Sequence, residues 1–297
     1  GKQIAKSDSS VMIYGETGTG KELLAQSIHN ASRRSNGPFL AINCAAIPEN
    51  LLEGLLFGTE KGAYTGAESR PGLFEQADSG TLLLDEINSM NMTRQSKLLR
   101  VLETKRYRKV GGNKELDMDV RVLSALNQDP LEAVDEGRLR SDLYYRLAVF
   151  SITLPSLSER RSDIMELVQS FLSSEAVAMG KSLYQVSDEA ADILLGHDWP
   201  GNIRELKHTV THAIYMAQYQ DTVLTTDLLP SYIKKNHTEK KLHDKFLADR
   251  ENDSDLKSTL NRIEKQILNE VLINNDFNIS KSAKELGISR QNLQYKL

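Results

Sequence analysis

The sequence is short of the features that mark secreted, membrane or fibrous proteins. Its 297 residues contain one cysteine, Cys44, which excludes an internal disulfide and fits a reducing cytoplasm. No apolar run approaches the roughly 18 residues that span a bilayer, and the N-terminus lacks the order of a signal peptide. There is no internal repeat and no low-complexity tract. Nor does one charge dominate: 37 cations oppose 41 anions, a net −4, so the totals do not announce a nucleic-acid binder. The distribution is uneven, because Lys257 to Leu297 holds seven cations against four anions, +3, leaving −7 on the remainder. A mildly basic end on an acidic body hints at a DNA-facing end. Length and a hydrophobic content of 39% suggest a substantial core and about two domains. Gly1 and Leu297 both fall within apparent structural units, so both ends look like cuts and further parts of the natural protein are expected.

Short apolar runs alternate with helical patterns through the first half. Val11–Tyr14, Phe39–Ile42, Thr81–Leu84, Val120–Ala125 and Val149–Leu154 read as strands, and Leu82-Leu83-Leu84 suits one buried on both faces. Leu98, Leu99 and Leu102 share a helical face between two of them. The alternation predicts a parallel α/β sheet. After Pro155 the strands are expected to stop. Ser162–Met179 and Ser187–Gln218 read as amphipathic helices, the second broken at Trp199-Pro200-Gly201. Residues 234–256 are highly charged and read as a linker. Leu260, Ile263, Ile267 and Val271 then recur at helical spacing. The expected boundaries are 1–155, 156–233, 234–256 and 257–297.

Gly15-Glu16-Thr17-Gly18-Thr19-Gly20-Lys21 sits between the first strand and a helix. Its glycines let successive N–H groups converge on phosphate oxygens. The helix adds its positive end, and Lys21 reaches the β/γ-phosphates. This is an ATP-binding loop, with one departure: Glu22 stands where Ser or Thr usually binds Mg²⁺. The second element is Asp85-Glu86 at the end of an apolar strand. Alone, such a pair is as readily an acidic helix cap. Coupled to the loop, Asp85 can hold Mg²⁺ and Glu86 can polarise the attacking water. Without a hydroxyl at Glu22, the metal leans on Asp85.

Residues 15–22, GETGTGKE, resemble the phosphate loop of the bacterial enhancer-binding proteins, the AAA+ ATPases that activate sigma-54 RNA polymerase. Glutamate is normal there at the position of Glu22. Gly62-Ala63-Tyr64-Thr65-Gly66-Ala67 closely matches the family's G-A-F-T-G-A loop, with Leu56-Phe57-Gly58 and Ala77–Thr81 flanking it in family order. Trp199-Pro200-Gly201-Asn202-Ile203-Arg204-Glu205-Leu206 is another near-verbatim signature. The resemblance runs from about residue 8 to the C-terminus. It implies an AAA+ P-loop NTPase sheet sandwich over 1–155, an α-helical lid over 156–233, and a three-helix Fis-type helix-turn-helix domain over 257–297. It also implies a hexamer with a dimeric resting state, ATP and Mg²⁺ as cofactors, and a cytoplasmic location away from membranes. The implied partners are sigma-54 RNA polymerase and an enhancer site on double-stranded DNA.

The same resemblance assigns roles. Tyr64 and Thr65 are implied to touch sigma-54. Tyr64 departs from the usual Phe, keeping the ring and adding a hydroxyl. Taken alone, the ring would more often pack beneath its own loop. Arg140 and Arg146 match the trans-acting arginine fingers, a role suited to a permanent bidentate charge, although arginines beside a helix commonly form a solvated face. Asn43 matches the partner of the catalytic glutamate, and Asn127 and Arg204 match the two sensors. Ser158, where arginine is usual, and Glu53-Gly54-Leu55-Leu56 depart from the family pattern. Cys44, His29 and Trp199 read as structural.

At the far end, Ser280–Leu286 reads as a helix, Gly287-Ile288 as a turn and Ser289 as the cap of a recognition helix. Ala283, Leu286, Ile288 and Leu293 supply a small core. Arg290, Gln291 and Asn292 fall where base edges are read, and Tyr295 and Lys296 where phosphates are reached. A helical hairpin without DNA shares this pattern. The whole sequence therefore points to an ATP-driven activator. The alternative is a DNA-binding regulator whose nucleotide domain is a switch or assembly platform without significant turnover. A third reading is an AAA+ remodeller of another client.

Overall fold

The computed structural model describes residues 2–64, 66–234, 261, 264–265, 267–269, 271–272, 275 and 278–296. Thr65, the linker from 235 to 256, Leu260, Ile263 and Leu297 carry expectations stated above and lie outside the described residues. The chain forms two compact units, one of residues up to 187 with 198–224, the other of 188–197 with those from 225 onward.

The first unit opens with α1 (Lys2–Lys6), β1 (Val11–Tyr14), α2 (Lys21–Asn30), β2 (Phe39–Asn43), α3 (Glu49–Phe57) and α4 (Leu73–Gln76). There follow β3 (Thr81–Asp85), α5 (Met92–Thr104), β4 (Arg106–Arg108), β5 (Glu115–Asp117), β6 (Arg121–Leu126), α6 (Pro130–Asp135), α7 (Ser141–Leu147) and β7 (Phe150–Thr153). Five strands form one parallel sheet in the order β2-β3-β6-β1-β7. Side chains alternate across it. Met12, Ile42, Leu82, Leu84, Val122 and Leu126 face the core shared with α3, α5 and α7. Val11, Ile13, Leu83, Leu123 and Ala125 face α2. Apolar runs on both faces are what a parallel sheet sandwiched between helices requires.

Two short pairings went unread in the sequence. The hairpin β4–β5 carries one inward side chain per strand, Tyr107 opposite Leu116, between cross-strand ion pairs Arg106–Asp117 and Arg108–Glu115. The charged residues on either side of Tyr107 and Leu116 hide its strand character. Beyond Pro155, where strands were expected to stop, β8 (Gln185–Val186) pairs with β9 (Val223–Leu224). Two-residue strands leave no period to detect.

Arg121 is a further surprise. It is 2% exposed at the start of β6 and donates to the carbonyls of Ile4 (2.8 Å), Ala5 (2.9 Å) and Ser9 (3.3 Å). Its guanidinium thereby binds the end of α1 and the chain entering β1. Burial without a carboxylate partner within hydrogen-bond reach holds its pKa below the usual value. The rest of the unit is helical: α8 (Asp163–Phe171) continues as a π turn over Leu172–Ala176, and α10 (Asn202–Met216) packs against it.

The second unit contains α9 (Asp188–Gly196), α11 (Ile279–Glu285) and α12 (Arg290–Lys296). Leu268, Ala283 and Leu293 form its small terminal core with Ile279, Leu286 and Ile288. Ile267 is 47% exposed, and Leu268 and Leu272, each one residue past the apolar positions Ile267 and Val271 noted above, are buried, so Leu268 is the side chain that meets Ala283 and Leu293. Among the described residues no helix is long and apolar enough to cross a membrane.

Candidate functional site

The phosphate loop joins β1 to α2, and its peptide groups are sorted by direction. Lys21 Nζ donates to the carbonyls of Gly15 (2.7 Å) and Glu16 (3.0 Å). Thr19 Oγ1 donates to Glu16 O (2.8 Å). The carbonyls of Thr17, Gly18 and Thr19 accept from Asn202 Nδ2 (3.1 Å), Arg204 N (3.3 Å) and Arg160 Nη2 (3.1 Å). Among the described residues the N–H groups of Glu16, Thr17, Gly18, Thr19 and Gly20 donate to no protein acceptor. Carbonyls turned out and amides turned in make an anion-binding nest at a helix N-terminus, so the residues present fit a nucleotide phosphate. Gly18 is obligatory twice over: its φ is +83°, and a Cβ there would lie 2.3 Å from Gly201 O.

Lys21 is buried, which lowers its pKa, while Asp85 and Glu86 raise it and Arg204 lowers it further. The four charges thus share one electrostatic neighbourhood. Asp85 ends β3 in register with Asn43 on β2, and its Oδ1 accepts from Glu86 N at 3.0 Å. Glu86 adopts a left-handed backbone at φ 53°, a costly conformation for glutamate that turns the chain sharply after the strand. Asn43 Oδ1 accepts from the N–H groups of Ala45 (2.9 Å) and Ala46 (3.1 Å). Asn127 directly follows β6, the strand between β3 and β1. Glu22 is exposed on the first turn of α2. Among the described residues no three carboxylate, histidine or cysteine side chains converge on a metal cage. Asp85 would hold Mg²⁺ only with phosphate and water oxygens completing the shell, the usual manner for that ion.

Arg140 caps α7. Its N–H donates to Gln95 Oε1 (2.9 Å), and its guanidinium forms a two-point pair with Asp142 (3.0 and 2.7 Å). Arg146, on the same helix, donates to Leu102 O at 2.8 Å. Gln95, 0% exposed, also donates to Met90 O and Arg138 O, both at 2.8 Å. Sequence reasoning missed this buried amide, because a lone Gln carries no pattern, and it left the contacts of Asn202, quoted above only within a signature, and of Arg160 unread.

The loop Gly62–Ala67 stands on a hydrogen-bonded stalk. Thr59 and Arg70 exchange N–H···O bonds of 3.0 Å, Glu60 N donates to Val110 O (3.0 Å) and Val110 N to Gly58 O (2.9 Å). Val110 belongs to the turn between β4 and β5, so two loops share one stalk. Gly111 lies so close that an added Cβ would sit 2.5 Å from Ala63 Cβ. Tyr64 is 58% exposed, which overturns the packing of its ring beneath its own loop. Gly62 and Gly66 take φ of +87° and +83°.

In the second unit, Ser289 Oγ accepts from Asn292 N at 3.1 Å and starts α12. Arg290, Gln291, Asn292, Tyr295 and Lys296 are exposed around the buried Leu293, with Tyr295 at 91%. Lys296 is paired with Glu264.

A five-stranded parallel sheet with this loop, acidic pair and helical lid defines an AAA+ P-loop NTPase, here carrying a Fis-type helix-turn-helix. Residues 1–153 match the sigma-54 interaction domain, 158–246 the AAA+ ATPase lid domain, and 259–297 the Fis family of bacterial regulatory proteins. The chain belongs to the family of sigma-54-dependent transcriptional activators. It is 45% identical over 296 residues to the transcriptional activator RocR of Bacillus subtilis, covering all of this chain and 64% of RocR. It is 43% identical over 296 residues to the regulatory protein AtoC of Escherichia coli, covering 99% of this chain and 63% of AtoC. The structure of NtrX from Brucella abortus in complex with ADP superposes with a TM-score of 0.75 at 35% identity, over all of this chain and 65% of that one. The chain thus spans a little under two thirds of these relatives.

Proposed function

We propose that the protein is a mechanochemical ATPase that hydrolyses ATP to ADP and phosphate as a ring and remodels the closed complex of sigma-54 RNA polymerase. The observation that carries this reading is the convergence of Lys21, Asp85, Glu86 and Arg204 on a loop whose amides are unclaimed. In this reading Lys21 and the loop amides neutralise phosphate charge, Asp85 would hold the metal, and Glu86 polarises the attacking water. Bound Mg²⁺ would supply charge neutralisation to the phosphates. Asn43 fixes the turn beside Glu86, and Asn127 and Arg204 read the γ-phosphate. Arg140 and Arg146 act on a neighbouring subunit's site, Arg140 exchanging Asp142 for phosphate, in a hexamer that assembles from a dimeric resting state. Tyr64 and Thr65, with Gly62, Ala63, Gly66 and Ala67 as their hinges, contact sigma-54. An exposed ring on a tip is a good anchor for a protein partner. The segment 257–297 sets Arg290, Gln291 and Asn292 against base edges and Ser289, Tyr295 and Lys296 against phosphates of an enhancer-like site. Residues 1–155 and 156–233 work as motor and lid, joined to that segment through 234–256.

Steady-state phosphate release tests the reading. Turnover should vanish in Lys21→Ala and Glu86→Gln, and a wild-type rate no higher than that of Lys21→Ala would sink it. Capture of sigma-54 with an ATP transition-state analogue should require Tyr64 and Thr65; capture indifferent to both would favour a different client.

A further inference from the structure

Three carbonyls of the phosphate loop are held from outside by the lid, and one of the side chains that holds them also bonds a side chain of the loop. Asn202 is 0% exposed, and its backbone is left-handed at φ 52°, a conformation asparagine tolerates better than most residues. Both of its amide protons and its amide oxygen are engaged. Nδ2 donates to Glu16 Oε2 (2.9 Å) and Thr17 O (3.1 Å), and Oδ1 accepts from Leu157 N (2.7 Å). One planar group therefore ties the phosphate loop to two parts of the lid, its entry at Leu157 and its helix α10. Arg204, two residues further along, lays its own N–H on Gly18 O. Glu16 explains itself only through this contact. It lies in the loop, yet its carboxylate turns away from the anion nest and onto the lid.

We propose that Asn202 and Glu16 form a clasp that positions the phosphate loop and the lid relative to each other. Through Thr17 O it keeps the peptide planes turned amide-inward, and through α10 it sets Arg204 over the loop. Asn202 is a positioning residue: it acts on the phosphates through the loop and through Arg204. The inference rests on the nucleotide reading above, but not on turnover, because the loop amides serve ADP as well as ATP.

Asn202→Asp is the discriminating variant. Aspartate is isosteric, tolerates the left-handed backbone and still accepts from Leu157 N. It loses both donated bonds and sets a carboxylate against Glu16. Adding Glu16→Gln supplies an amide that can donate back to the introduced carboxylate, restoring the link with the polarity reversed. The measurements are Mg-ADP affinity by calorimetry, thermal stability without nucleotide, and steady-state ATPase. A lost charge-assisted bond corresponds to roughly ten-fold in affinity. Asn202→Asp should therefore weaken Mg-ADP binding about ten-fold and lower kcat, and the double variant, which restores the link to residue 16 but not the bond to Thr17 O, should recover part of both. Unchanged ADP affinity in a folded Asn202→Asp protein, or no recovery in a folded double variant, overturns the clasp. If wild-type turnover equals that of Lys21→Ala, the hydrolysis reading falls while ADP affinity still judges the clasp. Asn202→Ala, which also strips Leu157 N of its acceptor, separates simple destabilisation: it should lower the melting temperature more than Asn202→Asp while weakening ADP no further.

Discussion

Replacing Gln95 with leucine removes three hydrogen bonds at nearly constant volume. Met90 O is buried, so losing its donor leaves a carbonyl with no route to water, at a cost of about 1–3 kcal/mol. Arg138 O and Arg140 N lie in partly buried surroundings; they regain some hydration, and each loss is worth about 0.5–1 kcal/mol. The sum is about 3 kcal/mol. For a folded unit of roughly 150–250 residues, about 2–4 °C per kcal/mol applies, so the melting temperature should fall by about 6–12 °C. Circular dichroism in the far ultraviolet, at the usual helix minimum, reads it directly. The turn from Arg138 to Arg140 also loses its anchor, so ATPase measured well below the melting temperature should drop if Arg140 acts between subunits. Gln95→Glu keeps the acceptor for Arg140 N but turns an anion toward two carbonyls, and should be at least as unstable. A fall of less than about 2 °C, well under the estimate, would show that this amide is replaceable by packing and that the reasoning about Arg140 has no structural footing.

Burial, reinforced by Asp85 and Glu86, pushes the Cys44 thiol up to about 12, so at mildly alkaline pH it should resist iodoacetamide until the protein unfolds; rapid labelling of the native protein would contradict that environment. His29, whose Nδ1 pairs with Thr81 Oγ1 at 2.9 Å, has its pKa lowered by burial. The unfolded chain therefore takes up the proton first, and stability should be lost as pH falls below about 6.5; His29→Gln should melt with a flatter pH profile between about pH 7 and about pH 5.5, and an unchanged profile would refute the assignment. Gly111→Ala meets Ala63 at 2.5 Å and a φ of +76°, which costs about 1–2 kcal/mol for the backbone alone. It should displace the Tyr64 tip and weaken sigma-54 capture, which a pull-down would register; undiminished capture would mean the two loops are not coupled.

What was legible followed the strength of local signals. The five sheet strands carry apolar runs such as Leu82-Leu83-Leu84, and the glycines of the phosphate loop are forced by φ and by close contact, so both could be read directly. The exposed face of α12 was readable because Leu293 is the buried member of its stretch. The hairpin β4–β5 was not, since one buried ring anchors it and the charged residues on either side of that ring hide the alternation. Spacing alone could not say which of Ile267 and Leu268 is buried, because adjacent apolar side chains compete there and only the tertiary partner chooses. Gln95, Arg121 and Arg160 were illegible, and the contacts of Asn202 went unread although it stands inside a recognised signature, for a shared reason: each acts by satisfying polar groups far away in sequence, and such demand leaves no trace beside the residue that meets it.

Arg121 has a practical meaning for anyone trimming this protein. The sheet begins at Val11, which invites a boundary just before it, yet the guanidinium under the sheet is satisfied by carbonyls from residues 4, 5 and 9. A fragment that begins at residue 10 would keep the whole sheet and strip Arg121 of all three of its carbonyl acceptors. The smallest sound fragment is therefore set by a charge, several residues outside the last piece of regular sheet.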